Sequence, residues 1–230
     1  QGVAAEGETR GEKIITAEFA EKAQRTLEIF YVNRHTERSR SVYFNGDNTF
    51  MKKLKYQLLK LFSPKGVSTR PKNTAMSSKS FYDFKLKSIE GKEIDFSTYK
   101  GKKVLIVNTA SECGYTPQYT ELEYLHETHG DKITILGFPP NNFGGQEPGT
   151  NADIVTFCKY KFGVTFQLFE KIDVKNNELY DWLTDEKQNG WNTEAPTWNF
   201  CKYLISEKGE LLKYYSAAVS PMSDDILKML

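Results

Sequence analysis

Cysteine is scarce in this 230-residue chain: Cys113, Cys158 and Cys201 are the only three. They are too few for a secreted disulfide framework, and they lack the CxxC or paired spacing of a zinc site. Histidine is as sparse, and His126 and His129, three apart on one expected helix, have no evident third metal ligand. Long apolar runs are missing too. No stretch reaches the roughly 18 to 20 residues that a membrane-spanning helix needs, so a soluble protein is expected. Net charge is nearly absent at +1, but residues 51 to 80 hold eight Lys or Arg and no acid, whereas 81 to 230 hold 16 basic and 22 acidic side chains. Those early lysines have no aromatic interleaving, which leaves little case for nucleic-acid binding. The glycine-rich "NNFGGQEPG" lacks the Gly-Lys-Ser/Thr ending of a phosphate-cradling loop.

What is present divides into two parts. Residues 1–79 read as an extension, disordered or partly helical. It holds the charged "RHTERSRS", one possible helix at 16–32, a basic leucine-spaced stretch "MKKLKYQLLKLF" at 51–62 and a polar, proline-dotted run to Lys79. The basic stretch reads as an unstructured arm in preference to a membrane-surface or targeting helix, and Met51 and Met76 are both candidate starts. From residue 80 to 230 strand and helix signals alternate. "FYDFKL" and "EIDF" form a hairpin turning at Gly91, and "KVLIVNTA" (103–110) and "ITILGFP" are buried strands. Helices are expected at 117–130 and over "TNADIVTFCKYKF", capped by Thr150 or Asn151. After them come a strand "LFEKIDV", a helix "ELYDWLTDEK", a hairpin around Lys208-Gly209 and a helical "MSDDILKML". Two parallel crossovers, a hairpin and a last helix predict an α/β, thioredoxin-like fold, with a central mixed β-sheet flanked by helices and an N-terminal β-hairpin.

In such a sheet reactive groups gather beyond the carboxyl ends of strands. Cys113, in "VNTASECGYTP", follows one of these strands and precedes a helix opening at Pro117. Unpaired N–H groups and the helix dipole there favour an anion, so a stabilised, nucleophilic thiolate is expected. A small buried hydrophobe is the plainer alternative.

Three blocks in order, "VNTASECGYTPQY", "GFPPNNFGGQEPG" (137–149) and "TWNF" (197–200), make the domain at 80–230 resemble the cysteine-containing glutathione peroxidase family. The resemblance implies that Cys113 is the peroxidatic residue, with Gln146, Trp198 and Asn199 completing the catalytic tetrad. It implies that Cys158, in the block where the two-cysteine branch keeps its resolving cysteine, forms a disulfide with oxidised Cys113. The 137–149 block departs from the family's usual Pro-Cys-Asn-Gln-Phe-Gly, reading Pro139-Pro140-Asn141-Asn142-Phe143-Gly144, yet no tetrad member is lost. Cys201 has no implied role.

The expected activity is reduction of hydrogen peroxide and organic hydroperoxides, with no metal or organic cofactor. Electrons are expected from thioredoxin or a similar dithiol protein, glutathione being secondary. The alternatives are a peroxide sensor that relays oxidation to a partner protein and a thioredoxin-fold disulfide reductase, against which the missing CxxC argues. Tetrameric members of the family carry a longer insertion before the matching Trp-Asn, so the resemblance, with the short stretch before Trp198, implies a monomer. A cytoplasmic location is expected; a periplasmic or organellar home would need 51–80 to act as a targeting or cleaved segment.

Overall fold

The structure, a computed structural model, describes residues 56–59, 66–74 and 79–230. The possible helix at 16–32 lies outside the described residues, as does most of the basic stretch at 51–62 read as an unstructured arm, of which residues 56–59 are described and are helical.

Six strands form the main sheet: β1 (Val67–Thr69), β4 (Lys103–Asn108), β5 (Ile133–Phe138), β6 (Gln167–Leu168), β7 (Lys202–Ile205) and β8 (Leu211–Tyr215), in the order β1-β8-β7-β4-β5-β6. A separate hairpin pairs β2 (Lys85–Lys87) with β3 (Glu93–Asp95). Strand β4 lies parallel to β5 and antiparallel to β7, with Leu105 opposite both Ile135 and Leu204. Its residues 104–108 are all buried, which is why this strand reads as a continuous apolar run without alternation.

The parallel crossovers are helices α1 (Gln118–His129) and α2 (Asn151–Phe162). Both ends of α2 carry local stop signals. Thr150 and Asp153 form a reciprocal capping box, and Gly163, at φ +66°, returns its N–H to Lys159 O at 3.0 Å. The hairpin is fastened by aromatic side chains: Phe96 meets Phe169 with centroids 5.4 Å apart, Phe84 meets Trp182 at 5.9 Å, and Phe169 stacks on Phe138 at 4.5 Å. Its turn residue Gly91 has φ +84° and donates to Ser88 O at 2.8 Å.

The later elements are shorter than the sequence predicts. The strand expected over 168–174 shrinks to β6 and two isolated bridges, Phe169 to Ser88 and Ile172 to Pro140. Beyond it side chains take over the backbone donors: Asn151 Oδ1 accepts from Lys171 N at 3.0 Å and Asn142 Oδ1 from Val174 N at 3.1 Å. The helix expected over 178–187 is two, α3 (Glu178–Thr184) and α4 (Glu186–Asn189), divided at Asp185, which leaves helical geometry and accepts from Lys187 N. The terminal helix is a single turn, α5 (Asp224–Leu227). Strand β1 lies before residue 80, in the stretch expected to be an extension, yet it pairs along β8 from Val67–Tyr215 to Thr69–Lys213. Tyr56, farther upstream, is also buried against the core.

Candidate active site

The end of β4 leads into a tightly bonded turn. Thr116 Oγ1 donates to Ala110 O at 2.8 Å and accepts from Cys113 N at 3.0 Å, while Thr116 N donates to Cys113 O at 3.2 Å. Tyr115 N donates to the Cys113 sulfur at 3.3 Å, and the backbone winds on through Gln118 N to Tyr115 O into α1. Cys113 is 8% exposed: reachable at one edge, held everywhere else. The sulfur therefore receives a backbone N–H at the approach to a helix N-terminus, an arrangement that favours the anion.

The second loop arrives from β5. Gly144 and Gly145, at φ +64° and +63°, turn the chain back in a left-handed step that an L side chain resists. That turn sets Gln146 O within 3.0 Å of the backbone N of Glu112, the residue before Cys113. A Cβ on Gly144 would stand 3.4 Å from the rim of the Trp198 ring and 3.6 Å from Gln146 Cγ, so tryptophan and glutamine close over this glycine.

The third loop enters β7. Asn199 is fully buried, and its Nδ2 donates to Gln146 Oε1 at 3.1 Å and Phe143 O at 3.4 Å. The loop is pinned by Asn108, whose Nδ2 donates to Trp198 O at 2.9 Å and whose carbonyl accepts from Phe200 N. Phe200 sits at φ +70°, the one non-glycine with positive φ among the described residues, an uncommon state for a bulky side chain that the surrounding bonds must enforce.

Of the residues singled out from sequence, Gln146, Trp198 and Asn199 are thus in direct contact or one neighbour apart, and Cys113 joins them through the Glu112–Gln146 backbone bond. Cys158 is buried on α2, within reach of Tyr119 and the Glu147 charge; all three cysteines are free thiols. Burial pushes the Cys158 thiol up to about 12; the neighbouring Tyr119 hydroxyl pulls the other way and the Glu147 charge adds to the rise. Glu147, next to Gln146, is itself raised by burial, against opposing pulls from Ser111 and Lys171. Cys201 is buried behind the third loop, where its sulfur accepts from Tyr214 Oη at 3.4 Å.

Sequence reasoning does not single out Thr116, although its place three residues after Cys113 is the spacing at which a hydroxyl folds back on the backbone. It also passes over Asn108. Tyr56 reads from sequence only as part of a basic arm, yet its ring packs edge-on against Tyr115 at 6.3 Å and its hydroxyl donates to Glu121 Oε1 at 2.9 Å. Among the described residues no three His, Cys, Asp or Glu stand together as metal ligands, and no helix is long and apolar enough to cross a membrane.

Comparison with known proteins finds relatives of this chain. A glutathione peroxidase family model matches residues 81–184. The chain is 45% identical over 157 residues to a glutathione peroxidase homolog, BsaA, of Halalkalibacterium halodurans, covering 66% of this chain and 99% of that protein. It is 43% identical over 150 residues to glutathione peroxidase-like peroxiredoxin 2 of Saccharomyces cerevisiae, covering 64% and 93%. It is 39% identical over 168 residues to a hydroperoxy fatty acid reductase of Synechocystis, covering 68% and 99%. Among solved structures, the apo form of Trgpx superposes with TM-score 0.51 at 37% identity, covering 66% of this chain and 95% of that one. A DsbF homologue from Corynebacterium diphtheriae shares the fold at TM-score 0.51 and 14% identity, over 71% and 92% of the two chains.

Proposed function

The chain belongs to the glutathione peroxidase family, and from that premise we propose that it is a thiol peroxidase in which Cys113 attacks hydroperoxides and Cys158 resolves the product. The observation that carries the reading is the Cys113 sulfur, bonded by Tyr115 N–H at the approach to a helix, in a turn tied by the Glu112–Gln146 backbone bond to the loop where Gln146, Asn199 and Trp198 meet.

In the first step the Cys113 thiolate forms an S–O bond as the peroxide O–O bond breaks. Sulfur loses two electrons and becomes a sulfenic acid; the departing oxygen takes a proton and leaves as water or alcohol. Charge develops on that departing oxygen, and donors placed in advance around it lower the barrier. Gln146 Nε2 and the Trp198 indole N–H are neutral donors suited to the task, and Asn199 orients the glutamine by holding its oxygen.

In the second step Cys158 displaces the sulfenic hydroxyl, which leaves as water, and a Cys113–Cys158 disulfide forms. A buried thiol raised to about 12 is protonated near neutrality and makes a poor nucleophile where it stands. Resolution therefore requires α2 to open locally, bringing Cys158 into water and within the roughly 7 Å between Cα atoms that a disulfide tolerates. A dithiol protein of the thioredoxin kind then reduces the bridge through a mixed disulfide. The yeast relative's description as a peroxiredoxin and the cyanobacterial relative's as a hydroperoxy fatty acid reductase support hydroperoxides, organic ones included, as substrates. Monomeric assembly is part of the proposal, supported by the short connection between α4 and Trp198. A reducing, cytoplasmic setting is also part of it, supported by three free thiols.

The test is stoichiometric. Reduced protein receives one equivalent of hydrogen peroxide, its thiols are mapped by peptide mass spectrometry, and recovery with thioredoxin is followed. A Cys113–Cys158 bridge reopened by thioredoxin is the expected result. Unreacted Cys113 would overturn the peroxidase reading, and oxidised Cys113 without a bridge would transfer resolution to a small thiol such as glutathione.

A further inference from the structure

Lys202, the first residue of β7, carries an ammonium group in the middle of the protein with its side chain fully buried. A charge is kept in such a place when backbone or acidic groups satisfy it. Lys202 Nζ donates to Phe200 O at 2.8 Å and to Val219 O at 2.7 Å. Its first acceptor belongs to the strained residue that follows Trp198 and Asn199. Its second belongs to a C-terminal strap, 217–220, that also reaches the other half of the site. Ala217 O accepts from Gln118 Nε2 at 2.7 Å, and Ser220 Oγ donates to Glu121, both partners lying in the first turn of the helix that follows Cys113.

We infer that Lys202 is a positioning residue, which clamps Phe200 in its left-handed conformation and, through the 217–220 strap, fixes the Asn199 turn relative to the helix beyond Cys113. The inference rests on the peroxidase reading, in which the amides of Asn199 and Gln146 must be in place before the O–O bond breaks.

Three bonds then enforce the positive φ of Phe200: Asn108 takes its N–H, Asn108 Nδ2 steadies the preceding Trp198 carbonyl, and Lys202 takes its own carbonyl. Removing the ammonium leaves the Phe200 peptide free to relax toward an ordinary conformation. Because Asn199 is the adjacent residue, its side chain would swing off Gln146 Oε1. Displacements of this size at a preorganised site cost on the order of ten- to a hundredfold in rate. Cys113 itself is bonded within its own turn by Thr116 and Tyr115, so its thiolate should be left as it is.

The experiment is a double-mutant cycle of Lys202→Met and Asn199→Ala, read by stopped-flow oxidation of the reduced full chain with hydrogen peroxide and by the pH profile of Cys113 alkylation. Lys202→Met is expected to slow the peroxide step roughly tenfold or more, with the alkylation midpoint unchanged, and to add nothing further in the Asn199→Ala background. Independent, multiplying losses, or a peroxide rate equal to wild type, would overturn the inference. So would a shift of the alkylation midpoint together with the rate, since that is what a general loosening of the fold would do. If methionine costs the fold, the same cycle with Lys202→Leu, which likewise removes the donor, decides the matter by the same criteria. Failure of the peroxidase reading looks different: Asn199→Ala alone would then leave the peroxide step untouched.

Discussion

At the scale of single residues, a few hydroxyl, amide and thiol groups carry most of the site's order. Thr116 Oγ1 serves both a donor and an acceptor in a buried turn. Thr116→Val would leave Cys113 N and Ala110 O without that partner, at about 1–3 kcal/mol for the pair. A lower midpoint in thermal or urea unfolding, with slower peroxide reduction by the fraction that remains folded, is the expected outcome. Cys113→Ser should abolish peroxide consumption in a coupled assay while leaving the circular dichroism spectrum unchanged. Cys158 makes a pH prediction. Its native value of about 12 lies above the roughly 8.5 of an unfolded cysteine. Between those values the unfolded chain has released the proton and the native one has kept it, so this thiol's contribution is intact below about pH 8.5 and lost as pH rises toward 12. Wild type should accordingly lose stability faster than Cys158→Ala between pH 9 and 11, measured as the difference in Tm between the two at each pH. Equal slopes would refute the assignment of that burial to Cys158.

At the scale of elements, α2 has opposing demands. Its capping box and its glycine close keep it folded, while the proposed resolution of the sulfenic acid needs it open. Thr150→Ala should weaken the N-terminal cap by about 1 kcal/mol. That makes the open helix about fivefold more populated, and the disulfide-forming phase after a single peroxide addition should accelerate by a similar factor, seen by stopped-flow fluorescence. A slower or unchanged second phase would argue that Cys158 reacts from the folded helix. Helix α2 is also among the elements most legible in the sequence. Thr150, Asp153 and Gly163 are local signals, and β4 and β5 announce themselves as apolar runs because both of their faces are covered. Strand β6 and the divided helices α3 and α4 are not legible, because Asn142, Asn151 and Asp185 redirect the backbone there with side-chain bonds that no periodicity encodes. The motifs bring Cys113, Gln146, Trp198 and Asn199 to notice as a set. Thr116 and Lys202 stay hidden because their importance lies in what they bond to, and the acceptors of Lys202 are set by strand pairing and the C-terminal strap.

At the scale of the whole molecule, the folded body includes more than a domain boundary at residue 80 would allow. Strand β1 completes the edge of the sheet beside β8, and a chain beginning at Met76 would uncover that edge, leaving backbone donors and acceptors on offer to another strand. Light scattering of such a truncation should show association at concentrations where the full chain is monodisperse. Tyr56 extends the point to the site. It lies outside the 81–184 span matched by the family model, yet its ring rests on Tyr115, whose N–H donates to the Cys113 sulfur. Groups that share a contact share a free energy, and the exchange is reciprocal. Whatever strengthens the seat of Tyr56 steadies the Cys113 turn, and whatever oxidation does to that turn must be felt at Tyr56. Part of the chain that performs no chemistry thereby becomes a gauge of whether chemistry has taken place.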